Sequence, residues 1–187
     1  VEQSLGEIRT KTHVEQVTTE HPPAYDSQSN GGIETGVRIV RGLFRTLKLC
    51  LEARIGKLVP TNHARIPWRL GHTSLLLNVR YVGRDGRTAW ARARGRTSNQ
   101  NMLNVAEQVQ HRLPSKGPHH DPDGNMDARW VEATFLGYNW SSTTYIVGNA
   151  GGATSARSMR RRPESARWST DRFAQVLATS WSPYARP

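Results

Sequence analysis

One cysteine, Cys50, stands among 187 residues. That excludes a disulfide framework and any structural zinc site built on two thiolates. It fits a reduced, intracellular setting, nuclear or cytoplasmic. Nowhere do about 20 apolar residues run together, so no membrane span is expected. No charged-then-apolar leader opens the chain either, so no secretory signal is expected. The first residue is Val1 rather than Met, which leads us to expect a fragment or a processed product. Apolar residues make up only 36%, enough for one ordinary domain or two small ones with a modest core. Six Trp carry much of its large apolar volume.

Acidic residues are scarce in one place above all. Residues 35–98 hold 14 Lys or Arg against 2 acids, whereas residues 1–34 hold 2 against 6. The whole chain carries a formal charge of +11. A field so concentrated attracts a polyphosphate backbone. The plainer reading is a basic solubility or ribosomal-type surface. No pattern points to a small-molecule substrate.

Val1, Leu5 and Ile8 have helical spacing, residues 12–19 are rich in β-branched side chains and read as a short strand, and 21–32 form a Pro/Ser/Asn/Gly loop. Ile33, Val37, Val40, Phe44, Leu47, Leu51 and Ile55 recur at steps of 4, 3, 4, 3, 4 and 4. That spacing predicts a helix with one apolar face, closed by Gly56. Gly36 and Gly42 weaken it by about 1 kcal/mol each relative to Ala, so packing must hold it. Residues 67–81 read as a second helix with Pro67 in its first turn, 82–87 as a turn, and 88–94 as a short third helix closed by Gly95. A polar linker follows. Short strands are then expected at 105–113, 128–136, 143–147 and about 154–161, with a short helix near 170–178. Strict alternation puts Trp130 and Phe135 on opposite faces, so burying both needs a bulge. Trp130, Phe135 and Tyr138 read as core more than as base-stacking platforms.

The junction Ser27-Gln28-Ser29-Asn30-Gly31-Gly32-Ile33-Glu34 opens the first long helix. It resembles the third acidic motif of the DDE integrases of retroviruses and of copia-type or gypsy-type retrotransposons. The resemblance continues through LFRTLKLCLEARIG, PWRLGHTSLLLN and VGRDGRTAWARARGR. It resumes at MDARWVEATFLGY, YIV and RSMRRRPESARW, which are similar to the small domain behind the catalytic core. It covers about residues 12–98 and 125–182. The resemblance implies an α/β chain: a truncated RNase H-like integrase core over 1–98, mainly helices here, a linker at 99–104, a small all-β SH3-like barrel over 105–165, and a tail at 166–187. It also implies that Glu34 is the last catalytic, metal-binding carboxylate. Family enzymes move DNA strands with two cations, Mg²⁺ or Mn²⁺, held by three carboxylates. Only 33 residues precede Glu34, and Asp26 is a poor substitute, so the two partner Asp residues are expected upstream of this chain. Metal and strand transfer therefore belong to the full-length parent, which would also self-associate.

Glu34, Arg38, Arg41, Arg45 and Lys48 step by 4, 3, 4 and 3, a second stripe beside the apolar one. A solvated face would look the same, but the family lays this helix along DNA. Arg92, Arg94 and Arg96, and the run Arg160-Arg161-Arg162, are further candidate phosphate contacts. Asp121, Asp123, Asn125, Asp127 and Glu132 have calcium-loop spacing, but Met126 replaces the required Gly and strands flank the segment. His119 and His120 lack cysteine partners for zinc. Two functions stay open: an integrase fragment that binds DNA without sequence preference, and a non-catalytic, retroelement-derived basic scaffold subunit of a larger assembly.

Overall fold

The computed structural model describes residues 30–114, 129–139 and 142–183. The helical spacing at Val1, Leu5 and Ile8, the expected strand at 12–19, the loop up to residue 29, the acids from Asp121 to Asp127 and the His119-His120 pair lie outside them. The chain divides into two units, Val1–Ile39 and Val40–Pro187.

Helix α1 runs Gly31–Ile55, with Glu34 in its first turn, and ends at Gly56, whose φ of +65° only glycine adopts without strain. The described part of the first unit is the start of this helix. Its apolar positions are not covered there: Ile33 is 71% exposed and Val37 44%. In the second unit Val40, Phe44 and Leu47 are half-buried and Leu51 is buried. The apolar stripe thus finds its partners at the C-terminal end. Leu51, with Ile55, packs on Val59, Ala106 and Phe173.

Helix α2 (Ile66–Arg80) has Pro67 in its first turn, where a missing N–H costs nothing. Helix α3 (Ala89–Arg94) is closed at both ends by side-chain and backbone chemistry. The Thr88 hydroxyl accepts the Ala91 N–H at 3.1 Å, and Gly95 caps the other end in the left-handed region.

Five antiparallel strands follow: β1 (Gln108–Arg112), β2 (Trp130–Asn139), β3 (Thr144–Asn149), β4 (Gly152–Ala156) and β5 (Met159–Arg161), in the order β4-β3-β2-β1-β5. The chain is therefore mixed α/β. The sheet is open among the described residues, where a closed barrel was expected. Both edges stay apart: β5 is only three residues long and pairs with β1, while the Ala153 N–H of β4 donates to Pro183 O at 2.6 Å. What reads as one strand over 154–161 is two, because the chain turns at Arg157-Ser158 to cross from one edge to the other. A short helix α4 (Thr170–Gln175) follows the strands.

The sheet is covered on both faces. On one, Leu75 and Val79 of α2 meet Leu103, Val109, Ala133, Phe135, Tyr138 and Val147. On the other, Leu136 meets Val176 and Ala178. Phe135 and Tyr138 are three residues apart yet share a face, their ring centroids 5.0 Å apart. The register shift between Phe135 and Gly137 makes that possible, since one extra residue reverses the alternation. The bulge thus serves Tyr138 rather than Trp130, which stays half-buried outside the core. Gly148 must be glycine for a different reason. A Cβ there would meet Leu136 Cδ1 at 2.7 Å and Val176 Cγ1 at 3.0 Å. Within residues 99–104, expected as a linker, Leu103 is buried: its N–H donates to the Tyr138 hydroxyl at 2.9 Å, which donates to Asn101 O at 2.7 Å. In the second unit α2 and one face of the sheet thus share an apolar cluster. Among the described residues no helix is long and apolar enough to cross a membrane.

Candidate nucleic-acid interface

Long basic side chains reach phosphate only when no nearer carboxylate holds them. The ten candidate contacts divide on that criterion.

In the first unit, Glu34 and Arg38 lie one helical turn apart and both are exposed. Glu34 in the first turn also favours the helix dipole. In the second unit Arg41 and Arg45 are exposed one turn apart, with no carboxylate within ion-pair distance among the described residues. Lys48 differs. Its ammonium pairs with Glu52 one turn on, and Glu52 is buried, accepting the Val59 N–H at 2.7 Å. Lys48 and that N–H together hold the Glu52 carboxyl below the usual range.

Arg92 is held too. It grips Asp85 in a bidentate fork, Nε to Oδ2 at 2.8 Å and Nη2 to Oδ1 at 2.7 Å, and this lowers the Asp85 pKa well below the usual carboxylate value. Arg94 lies over the Trp90 ring, 5.3 Å from its centroid, and Arg96 is exposed. In β5, alternation separates Arg160 from Arg161, and Arg162 follows just past the strand. Arg160 lies 4.0 Å over the Trp130 ring, Arg162 pairs with Glu132, and Arg161 points the other way to grip Glu107, at 2.9 and 2.7 Å. Glu132 also pairs with Arg172. Four of the ten candidates are therefore occupied by acids, at Lys48, Arg92, Arg161 and Arg162. Among the described residues, Arg38, Arg41, Arg45 and Arg96 have no acidic partner, while Arg94 and Arg160 rest on indole faces.

The two acids of the 35–98 block, Glu52 and Asp85, are both among those partners. Their cations are thereby neutralised inside the fold. The other twelve of its fourteen cations have no carboxylate partner within the block.

Sequence reasoning missed a second cluster. Arg65, Arg69 and His72 step by 4 and 3 into the same face of α2 as Leu75 and Val79, and are buried with them. Arg65 Nη2 donates to Arg172 O at 2.8 Å, and its guanidinium lies 4.1 Å over Phe173. Burial, with Arg69 nearby, pushes Arg65 down to about 9, and burial pushes Arg69 down to about 10. His72 stands edge-on to Phe135 and stacked near Tyr138, at centroid distances of 6.2 and 6.3 Å. Burial, then Arg69, pushes it down to about 4. The signal was there in the spacing. Arg65, Arg69 and His72 stand at positions that continue the face of Leu75 and Val79.

A pH dependence follows. His72 in the folded chain stays neutral where the unfolded chain, with an ordinary pKa near ~6.5, takes up a proton. The neutral form's contribution is therefore present above about pH 6.5 and lost as pH falls toward 4. Urea unfolding at pH 5 should show about 2 kcal/mol less stability from this group than at pH 7. His63 and His111, both lowered by burial, add in the same direction. His72→Gln should remove its own share, and an unchanged pH profile in that variant would refute the assignment.

Comparison of the chain with protein-family models, with curated proteins and with solved structures gives no match.

Proposed function

We propose that this chain binds double-stranded DNA without sequence preference, through exposed arginines that contact phosphates. One observation carries the reading. The most basic block of the chain spends both of its acids on Lys48 and Arg92, and leaves Arg41 and Arg45 exposed on one helix. A surface of that sign favours backbone contact.

The resemblance to retroelement integrases supports a finer reading. In it the helical part belongs to an RNase H-like core and the sheet to an SH3-like domain. The order of elements is compatible with that: Glu34 in the first turn of α1, two further helices, then five strands whose last returns beside the first. DNA strand transfer would then belong to the full-length parent. Glu34 by itself does not fit a two-metal centre, since one carboxylate cannot hold two cations. The 187-residue chain is accordingly expected to give no cut or joined product with Mg²⁺ or Mn²⁺. Product formation that disappears in Glu34→Gln would defeat this.

The scaffold alternative draws support from apolar side chains left in solvent, Leu58 at 81% and Trp181 at 75% exposure. Titrating unrelated duplexes of equal length separates the two. Similar affinities on all of them support the DNA reading. Absence of binding at low salt by folded protein supports the scaffold.

A further inference from the structure

Buried cations are ordinarily paired, because removing charge from water is costly unless an opposite charge replaces the solvent. Arg65 and Arg69 depart from this. Both are at least 98% buried, and no carboxylate lies within ion-pair distance of either among the described residues. Nη1 of Arg69 and Nδ1 of His72 are buried and have no hydrogen-bond partner among the described residues. The two residues are three apart on α2, so they sit side by side on one helix face.

Both line the same cavity, of about 20 Å³, room for about one water-sized group. Leu47, Cys50, Leu51, Asn104, Val105 and Trp168 complete its wall, and Arg54 stands at the exposed rim. The Arg54 guanidinium is held 4.7 Å over the Trp168 ring. The nearest acids are committed elsewhere: Glu52 to Lys48 and the Val59 N–H, and Glu107 to Arg161 and Asn104.

We propose that Arg69 and His72 form a socket for a single anionic oxygen, delivered through the mouth beside Arg54 by a small phosphate or carboxylate. Arg69 Nη1 donates to that oxygen. His72 donates from Nδ1–H, as the neutral tautomer or as the imidazolium that the anion itself would favour. Arg54 attracts the ligand from the rim. A bridging water would fill the same space, accepting from Arg69 and donating to His72, but it would leave the cation uncompensated. Charge therefore favours the anion. This inference stands apart from the DNA reading, since Arg38, Arg41, Arg45 and Arg96 do not line the cavity.

The test uses the full chain, labelled with ¹⁵N. The His72 imidazole and Arg69 guanidinium signals are followed at pH 7 during titration with sodium phosphate, sodium acetate or sodium chloride at matched ionic strength. A saturable shift with phosphate or acetate, beyond that with chloride, is the expected result, and the responding salt identifies the anion class. Arg54→Gln, a rim change that leaves the core intact, should weaken that saturation about threefold. His72→Gln, which keeps an N–H donor, should weaken it by up to about tenfold. Equal, unsaturable shifts with all three salts would overturn the proposal and leave a hydration site only.

Discussion

Raising the salt concentration should weaken binding of this chain to any duplex along a slope of about −4 to −5 in log K against log salt, if about four to six phosphates are neutralised. The exposed arginines of α1 should carry much of it. Changing Arg38, Arg41 and Arg45 together to Gln should reduce the magnitude of the slope by about 2 to 3, at about 0.9 per phosphate contact. All sequences should lose affinity alike, because phosphate contacts carry no base information. Lys48 is the internal control. It shares the helical stripe in sequence, but its ammonium is occupied by Glu52. Lys48→Gln should therefore leave the slope almost unchanged. If Lys48→Gln flattens the slope as much as each arginine does, the pairing does not limit its reach. If the triple variant keeps the parent slope, helix α1 is not the contact surface. Fluorescence anisotropy on two unrelated duplexes at several salt concentrations reads both outcomes.

Arg161→Met should lower stability without touching that slope. Glu107 is fully buried, and Arg161 is its bidentate partner. Asn104 supplies two further donors, its backbone N–H at 3.1 Å and its side-chain amide at 3.0 Å. The Arg161 pKa is correspondingly raised, chiefly by the hydrogen bonds to Glu107. Removing Arg161 leaves the buried carboxylate with Arg167, at 4.0 Å, as its ionic partner. The usual cost of about 3–5 kcal/mol is reduced to about 2–3 here, because Arg161 itself is 44% exposed and partly screened. For a unit of this size that corresponds to a midpoint roughly 5–10 °C lower in thermal unfolding. The double variant Glu107→Gln/Arg161→Met should recover part of the loss, since it leaves no buried carboxylate. A single variant within about 1 °C of the parent would show the pair to be dispensable.

Local order was legible in the residues themselves. Steps of 3 and 4 among apolar positions marked α1, Pro67 marked the start of α2, and Thr88 and Gly95 marked both ends of α3. Each follows from backbone geometry within a few positions of the chain, which needs no knowledge of the fold. The β-branched and aromatic segments marked the strands, though not the turn at Arg157-Ser158 that divides the last one in two. A bulge was expected for burying Trp130 and Phe135 together, which are not both buried; the one present serves Tyr138, and its place depends on how β2 pairs with β3.

Tertiary structure decided which charges are available. Lys48 and Glu52 are close in sequence, and their pairing could have been read from helical spacing. Arg161 and Glu107 stand 54 positions apart, and Arg162 and Glu132 stand 30 apart. No local pattern brings such residues together, because strand order alone places β5 beside β1. Burial of Arg65, Arg69 and His72 was decided in the same way. Their spacing continues the face of Leu75 and Val79, but whether that face meets the sheet or solvent depends on α2 docking over β2. The sequence by itself determined how much positive charge the chain carries and on which elements. The fold determined which of those charges are neutralised internally and which remain for a partner, because Coulomb attraction depends on distance in space rather than along the chain.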